Sequence, residues 1–203
     1  MMPGRVIAWG GAVLAVAAAL AHLSAGRERV YGRAVDVWRD TVVERPASPR
    51  AWANLGLALL DRGPTKDAER EARRCLERSI ALDATGVFGH VELAILLRES
   101  DPGRAAELCR EVIRRRPHDA RAHQMLGRLL VAADPVEAER LFEIAARLAP
   151  RDADCLVNLA NMKLLRGDAT AAIEIYDRVL AIDPEHPLAR ANRQQAVERL
   201  GDR

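Results

Sequence analysis

Aromatic residues are scarce in this sequence: Phe, Trp and Tyr together make up 3% of its 203 residues. A hydrophobic core must therefore be built mainly from Ala, Leu and Val. Because Ala and Leu have the most favourable intrinsic helix propensities, the composition predicts an all-α fold. Lysine is nearly absent as well, with Lys66 and Lys163 the two examples, so arginine supplies almost all of the positive charge.

A large excess of one charge is also missing. The chain has 31 basic and 29 acidic residues and a formal net charge of +2. Proteins that bind nucleic acid usually carry a basic patch or stripe that attracts the phosphate backbone. The charge balance therefore predicts no nucleic-acid partner, and we expect the acidic side chains to lie on solvent faces, mostly near arginines.

The cysteines are too few and too scattered for a metal or disulfide framework. Cys75, Cys109 and Cys155 are far apart, and no C-x-x-C pair occurs. Such a pattern implies neither a zinc site nor a set of disulfides. Each cysteine lies in an apolar stretch, so we expect all three to be small buried hydrophobic residues.

Catalytic motifs are lacking too. The sequence has no G-x-S-x-G, no H-E-x-x-H and no phosphate-binding glycine loop. His90 and His123 are predicted to pack between helices, and nothing near His118 and His123 supplies the further ligands that a metal would need. We therefore predict no catalytic residue, no metal, no cofactor and no small-molecule substrate, which means that the protein is not expected to be an enzyme.

An uncharged stretch covers residues 6–25, with Arg5 before it and Arg27 after it. About 20 apolar residues are needed to cross the hydrocarbon core of a bilayer. The stretch is therefore predicted to form one apolar transmembrane helix, within an N-terminal segment at 1–26 that attaches the chain to a membrane. Two other interpretations stay open: a signal peptide cleaved near Ala19–Ala21, and a buried helix of a soluble fold.

A repeat follows this stretch. Helix-breaking positions recur at spacings of 38, 33, 33 and 34 residues, at Pro46, Ala84, Pro117, Pro150 and Pro184. A fixed period of 20–50 residues indicates stacked supersecondary units. The extra residues of the first interval lie around residues 62–70, where we expect them to lengthen the turn inside the unit.

Each unit contains two helical patterns. The first has apolar residues three and four positions apart with a small residue between turns, which predicts a helix with one apolar stripe and one point of close approach. Its four examples are Trp52-x-x-Leu55-Gly56-x-x-Leu59, His90-x-x-Leu93-Ala94-x-x-Leu97, His123-x-x-Leu126-Gly127-x-x-Leu130 and Leu156-x-x-Leu159-Ala160-x-x-Lys163. The second pattern mostly sets a large residue between smaller ones, as in Ala72…Leu76…Ser79, Ala105…Cys109…Val112, Ala138…Phe142…Ala145 and Ala172…Tyr176…Val179.

These patterns resemble the tetratricopeptide repeat (TPR), whose 34-residue unit has the form W-x2-L-G-x2-Y…A-x3-F…P. The resemblance implies a right-handed TPR superhelix, which is a solenoid of antiparallel helix pairs. It divides the rest of the chain into a half repeat, four TPR units and a C-terminal capping helix with its tail, at 27–48, at 49–186 (49–86, 87–119, 120–152 and 153–186) and at 187–203 respectively.

The resemblance also implies a binding groove. In TPR proteins, side chains at fixed positions of each first helix line a concave surface that binds an extended peptide or another protein. The residues that we expect to contact such a partner are Asn54, Arg98, Arg121, Gln124, Arg128, Asn158 and Asn161. The predicted function is therefore a membrane-tethered scaffold for protein–protein interaction, with residues 6–25 contacting the membrane.

The junction between the apolar stretch and the repeat, from Tyr31 to Gly56, resembles a point in multi-spanning glycosyltransferase-like membrane proteins. There the last span passes into an extracytoplasmic TPR tail. The resemblance implies a single-pass protein with its repeats on the periplasmic side; a secreted or periplasmic protein, after signal cleavage, stays open. The alternative function is that of an accessory subunit of a protein glycosylation, envelope-assembly or cytochrome-maturation system.

Overall fold

The structure is a computed structural model that describes residues 33–63, 65–83 and 85–201. Every regular element in these ranges is an α-helix. The helices divide into two compact bodies, one that ends at Gly89 and one that begins at His90. Within the described ranges, none of the helices combines the length and the apolar character that a membrane span needs. The expected transmembrane helix at residues 6–25 lies outside them.

The first body contains α1, α2 and α3, at residues 33–44, Pro49–Asp61 and Lys66–Leu82. Three polar contacts connect these helices and their turns. The hydroxyl of Ser79, which is buried, donates to the carbonyl of Pro49 at 2.7 Å. The indole of Trp52 donates to the carbonyl of Pro46 at 2.9 Å, and a guanidinium nitrogen of Arg39 lies 2.9 Å from a carboxylate oxygen of Glu71.

The expectation of a longer inner turn in the first unit is wrong. The connection between α2 and α3 spans residues 62–65, whereas α3 itself has 17 residues. The corresponding second helices of the later units have 14 residues each. The extra residues therefore extend α3, because a hydrogen-bonded helical turn satisfies more backbone groups than an open loop does.

The second body contains seven helices in its described residues. They are α4 His90–Leu97, α5 Pro102–Arg115, α6 Ala120–Leu130, α7 Pro135–Leu148, α8 Ala153–Leu165, α9 Ala169–Ile182 and α10 Pro187–Gly201. Each helix packs against the next one along the chain. Short turns join them, so consecutive helices form the antiparallel pairs of a helical solenoid.

Aspartates begin five of these helices. The carboxylate of each one accepts a hydrogen bond from the backbone N–H three residues further on, at 2.9–3.1 Å, in Asp101, Asp119, Asp134, Asp152 and Asp168. Such an N-cap stabilises a helix by about 1 kcal/mol, because it satisfies a donor that the helix itself leaves unpaired. The caps therefore fix where successive helices start.

Small residues on the first helices allow the second helices to approach closely. A Cβ atom on Gly127 would lie 2.8 Å from Cε1 of Phe142, whose ring is buried on α7. The equivalent residue of the next unit is Ala160, and it and Tyr176 are both fully buried. Phe142 and Tyr176, the large residues of the second pattern in their units, therefore lie in the core.

Ion pairs link α7 to α8. The ammonium of Lys163 lies 2.5 Å from a carboxylate oxygen of Glu139 and 2.8 Å from one of Glu143, and Arg166 lies 2.7 Å from Glu139. The hydrogen bonds that Lys163 donates to Glu139 and Glu143 raise the pKa of its ammonium group. Lys163 occupies the position where the TPR pattern has tyrosine, and here a charge cluster replaces that ring.

The last helix, α10, covers the end of the second body. Its two buried residues, Ala189 and Ala196, belong to the same hydrophobic cluster as Tyr176. Arg193 holds the helix against α9 through Asp177, with a nitrogen–oxygen distance of 2.5 Å. A helix with few large apolar residues covers the apolar end of a solenoid without requiring a further repeat.

The predictions for cysteine and histidine are confirmed by their burial. Cys75, Cys109 and Cys155 are buried, as are His90 and His123. Burial disfavours the thiolate, and it raises the pKa of Cys75 to about 11 and those of Cys109 and Cys155 to about 12. These cysteines are therefore core residues with unreactive thiols.

Replacement of Gly127 by alanine is expected to lower the free energy of unfolding by about 1–3 kcal/mol, because the new methyl group overlaps the Phe142 ring. Gly103→Ala is the matched control. Its Cβ would meet only Asp101, at 3.7 Å, so the better helix propensity of alanine should leave stability unchanged or raised. Urea denaturation followed by circular dichroism measures both variants. Equal effects of the two substitutions would contradict the close approach.

Candidate functional site

The inner surface of the second body is formed by the first helix of each pair. Helix α4 contacts α6, α6 contacts α8, and α8 contacts α10. Among the described residues, the second helices α5, α7 and α9 make no comparable contacts with one another. In a curved stack, alternate helices come closest on the concave side. The side chains that α6 and α8 direct away from the core are therefore the candidates for partner binding.

Helical periodicity places polar residues together on this surface. Residues three or four apart share one face of a helix. On α6 this spacing relates Arg121, Gln124 and Arg128, which are exposed or half-buried. On α8 it relates Asn158, which is half-buried, to Asn161, which is exposed. Both helices thus combine a buried apolar stripe with a polar stripe.

A concavity of about 330 Å³ lies on this surface. Three of its lining residues are polar and four are apolar, and they come from the end of α6, from α7 and from α8: Arg128, Asn158, Asn161, Val131, Phe142, Met162 and Leu165. Ligand pockets in proteins usually combine apolar walls with a few polar groups that fix orientation. This concavity has that composition.

The structure brings together three of the seven residues that the sequence predicts for the groove. Arg128, Asn158 and Asn161 line the concavity. Of the other four, Asn54 lies half-buried on α2 in the first body and Arg98 follows the end of α4. The remaining two, on α6, are not among the lining residues.

Two hydrogen bonds hold the side chain of Asn161 in place. Its carbonyl oxygen accepts from the hydroxyl of Tyr176 at 2.5 Å and from the amide nitrogen of Asn192 at 2.8 Å. Burial raises the pKa of Tyr176, so its hydroxyl remains protonated and can donate at neutral pH. With the oxygen occupied twice, the nitrogen of the Asn161 amide is the group left for a ligand.

The arginines near the inner surface differ in their partners. Arg121 lies 2.9 Å from the carboxylate of Glu92, and Arg98 lies 3.2 Å from that of Glu99. Glu92 is 9% exposed, so the expectation that acidic residues lie on solvent faces is wrong at this position: pairing with Arg121 offsets the cost of its burial. Arg128 is exposed and has no ion pair within the described residues.

The apolar walls of the concavity are the part that sequence reasoning missed. Leu165 is 63% exposed and lines the concavity beside Val131 and Met162. A signal for Leu165 exists in the sequence, because it is four residues after Asn161 and therefore on the same stripe of α8. Phe142, the large residue of the second pattern in its unit, also lines the concavity.

The site is suited to binding rather than to chemistry. Its polar groups are one guanidinium and two amides, none of which acts as a general base or nucleophile at neutral pH. Three or more His, Cys, Asp or Glu side chains in a metal-binding arrangement do not occur in the part of the chain that the structure describes. What the arrangement offers is one positive charge, amide donors and apolar surface.

The helix pairs define the chain as an α-solenoid, and comparison with a protein-family model identifies the type of repeat. The model described as "Tetratricopeptide repeat" matches residues 16–84 and 129–187, which is more than half of the chain. The chain belongs to the tetratricopeptide repeat family. The first matched range begins inside the apolar stretch at residues 6–25.

Solved structures with similar folds are matched over most of their length, and two of the following three are described as TPR proteins. A thermophilic TPR protein of Thermus thermophilus superposes with a TM-score of 0.66 and 18% identity, over 87% of this chain and 96% of that one. YrrB, described as a TPR protein with an unusual peptide-binding site, gives 0.61 and 18%, over 82% and 84%. MamA of Desulfovibrio magneticus RS-1 gives 0.62 and 16%, over 82% and 94%. At such identities the likeness shows the fold alone.

Another relative has a higher sequence identity than these structures but is much longer than this chain. Cellulose synthase 2 operon protein C of Komagataeibacter xylinus is 35% identical over 115 residues, which is 55% of this chain. The match covers 9% of that protein. The matched segment therefore corresponds to a small portion of this relative.

Replacement of Tyr176 by phenylalanine is expected to lower the free energy of unfolding by about 1 kcal/mol, because it keeps the buried ring but removes the hydrogen bond to Asn161. Urea denaturation of Tyr176→Phe, Asn161→Ala and the double variant measures the coupling between the two side chains. We expect the double variant to be less destabilised than the sum of the single variants. Strict additivity would show that the bond contributes nothing.

Proposed function

We propose that this protein is a scaffold that binds an extended segment of a partner protein in the concavity between α6 and α8. The observation that carries the proposal is the composition of that concavity, in which the exposed side chains of Arg128 and Leu165 lie beside the amides of Asn158 and Asn161. An extended peptide offers both backbone carbonyls for the amides and side chains for the apolar wall.

Family membership supports an interaction role, since TPR units present their first helices as binding surfaces. The description of YrrB refers to a peptide-binding site, and we extend that kind of ligand to this chain as part of the proposal. The absence of general bases and nucleophiles from the lining residues favours binding over catalysis. A single leucine exposed on a surface is ordinary, so Leu165 counts here because it lines a concavity with polar groups.

Selection of a phage-displayed library of random twelve-residue peptides on the full chain tests this proposal. We expect selected peptides to bind in isothermal titration calorimetry, and Leu165→Ser to weaken them about tenfold, because the ligand loses apolar contact. Val136→Ser is the matched control. Val136 is 65% exposed, like Leu165 at 63%, but it lies on α7 and does not line the concavity.

Recovery of no binding peptide would contradict the proposal. Equal weakening by Leu165→Ser and Val136→Ser would place the binding surface elsewhere. Circular dichroism of both variants, which should match that of the unmodified protein, controls for folding.

We further propose that residues 6–25 attach the scaffold to a membrane, with the repeats on the periplasmic side. The support is the uncharged composition of this stretch, its length and the arginines at both ends. The competing interpretation is that part of the stretch belongs to a first repeat helix, which is favoured by the start of the family match at residue 16.

Leu14→Arg separates these interpretations, because residue 14 lies inside the uncharged stretch but before the family match. An arginine in the middle of a membrane span is costly, at about 2.5–3.5 kcal/mol on insertion scales. We expect the unmodified protein to resist carbonate extraction from membranes and Leu14→Arg to be extracted more readily. Extraction of the unmodified protein would contradict membrane attachment.

A second candidate function is an accessory subunit of a glycan-synthesising or glycosyl-transfer system. The observation that favours it is the match to a protein whose name refers to a cellulose synthase operon. Under this hypothesis, the partner segment in the concavity belongs to a glycosyltransferase of the same membrane. Co-purification of such an enzyme with the full chain, and its loss in Leu165→Ser, would favour this candidate over the systems for envelope assembly or cytochrome maturation.

A further inference from the structure

We propose that the concavity between α6 and α8 selects a peptide segment in which an acidic side chain lies close to an aliphatic one. The carboxylate pairs with Arg128, and the aliphatic side chain packs on Leu165 and Val131. This inference rests on the proposed function and specifies the ligand of the same site.

The acidic preference follows from the unequal pairing of the arginines. Arg98 and Arg121 already have carboxylate partners at 3.2 and 2.9 Å. A ligand carboxylate at either of these arginines would have to compete with a carboxylate that is already present. Arg128 has no ion pair within the described residues and is exposed, so a ligand carboxylate can form two charge-assisted hydrogen bonds with its guanidinium group.

The aliphatic preference follows from what lies beside Arg128. Leu165 is 63% exposed, whereas Met162 and Phe142, which also line the concavity, are each 2% exposed. A ligand side chain that covers Leu165 removes apolar surface from water on both partners. Arg128 is the one cation among the lining residues, which include no acidic group, and it shares the concavity with Leu165 and Val131. A ligand can therefore place a carboxylate and an aliphatic side chain in the same concavity.

The amides add a preference for extended backbone. The oxygen of Asn161 is occupied by Tyr176 and Asn192, so the side chain presents its nitrogen as a donor. A donor in this position suits the carbonyl oxygen of a peptide bond. Tyr176 and Asn192 together fix this orientation.

The size and charge of the site argue against other anionic ligands. A volume of about 330 Å³ is at the lower end of the range for ligand pockets, which suits a few residues of a peptide. Nucleic acid would need several phosphate contacts, and phosphopeptide sites usually contain a cluster of arginines. One arginine bordered by leucine, valine and methionine fits a carboxylate beside an aliphatic group.

The test uses the full chain and the same random twelve-residue library. We expect the selected peptides to be enriched in Asp or Glu within two residues of Leu, Ile, Val or Met. For one such peptide, Arg128→Gln should weaken binding at least tenfold, and Arg128→Lys should have a smaller effect because it keeps the charge. Arg147→Gln is the matched control, because Arg147 lies on α7 and does not line the concavity; it should change affinity less than twofold.

A double-mutant cycle completes the test. Replacement of the acidic residue of the peptide by its amide should weaken binding to the unmodified protein but not to Arg128→Gln. Peptides that bind without acidic enrichment, or that bind Arg128→Gln as tightly as the unmodified protein, would overturn this inference and leave the proposed function intact. Failure to select any peptide would overturn both.

Discussion

Close approach between a first helix and its second helix is the constraint on which the site depends. At Gly127 the backbone of α6 packs against the Phe142 ring, where a methyl group would not fit without movement. The next residue along the helix is Arg128, and a step of one residue turns the side chain by about 100°. Asn161 follows the small residue Ala160 in the same way. Residues that pack against the second helix and residues that line the concavity are therefore adjacent in sequence.

This arrangement explains why the concavity contains parts of the core. Phe142 fills the space beside Gly127 and also lines the concavity. Tyr176 is buried in its own unit, yet its hydroxyl fixes the amide of Asn161. A change in the packing of either ring would alter the site as well as the stability. The proposed binding site and the core of the second body thus share aromatic residues, in a chain that has few of them.

The sequence predicts the helices and their faces well, because both depend on local information. Apolar spacing identifies the stripe that is buried, and the small residue within it identifies where a second helix approaches. The burial of Cys109, His123 and Tyr176 follows from this pattern. The TPR resemblance assigns Arg128, Asn158 and Asn161 to a groove, and these three residues line the concavity.

What the sequence did not predict depends on distances between helices. The periodicity of apolar residues does not predict that Glu92 is buried against Arg121. That pairing depends on how α4 and α6 are aligned along their axes when they pack together. Nor does it distinguish the paired Arg98 from Arg128, which is free of ion pairs within the described residues. The length of α3 is not predicted for a related reason. Extra residues can extend either a turn or a helix, and the repeat pattern is compatible with both.

The concavity on α6 and α8 is proposed to bind an extended segment of a partner protein. The most direct measurement is the mapping of chemical-shift changes in the ¹⁵N-labelled chain when a selected peptide is added. The account predicts that the largest changes fall on Arg128, Val131, Asn158, Asn161 and Leu165, with the side-chain amide of Asn161 among them. Changes confined to the outer helices α5, α7 and α9, with these residues unaffected, would contradict it.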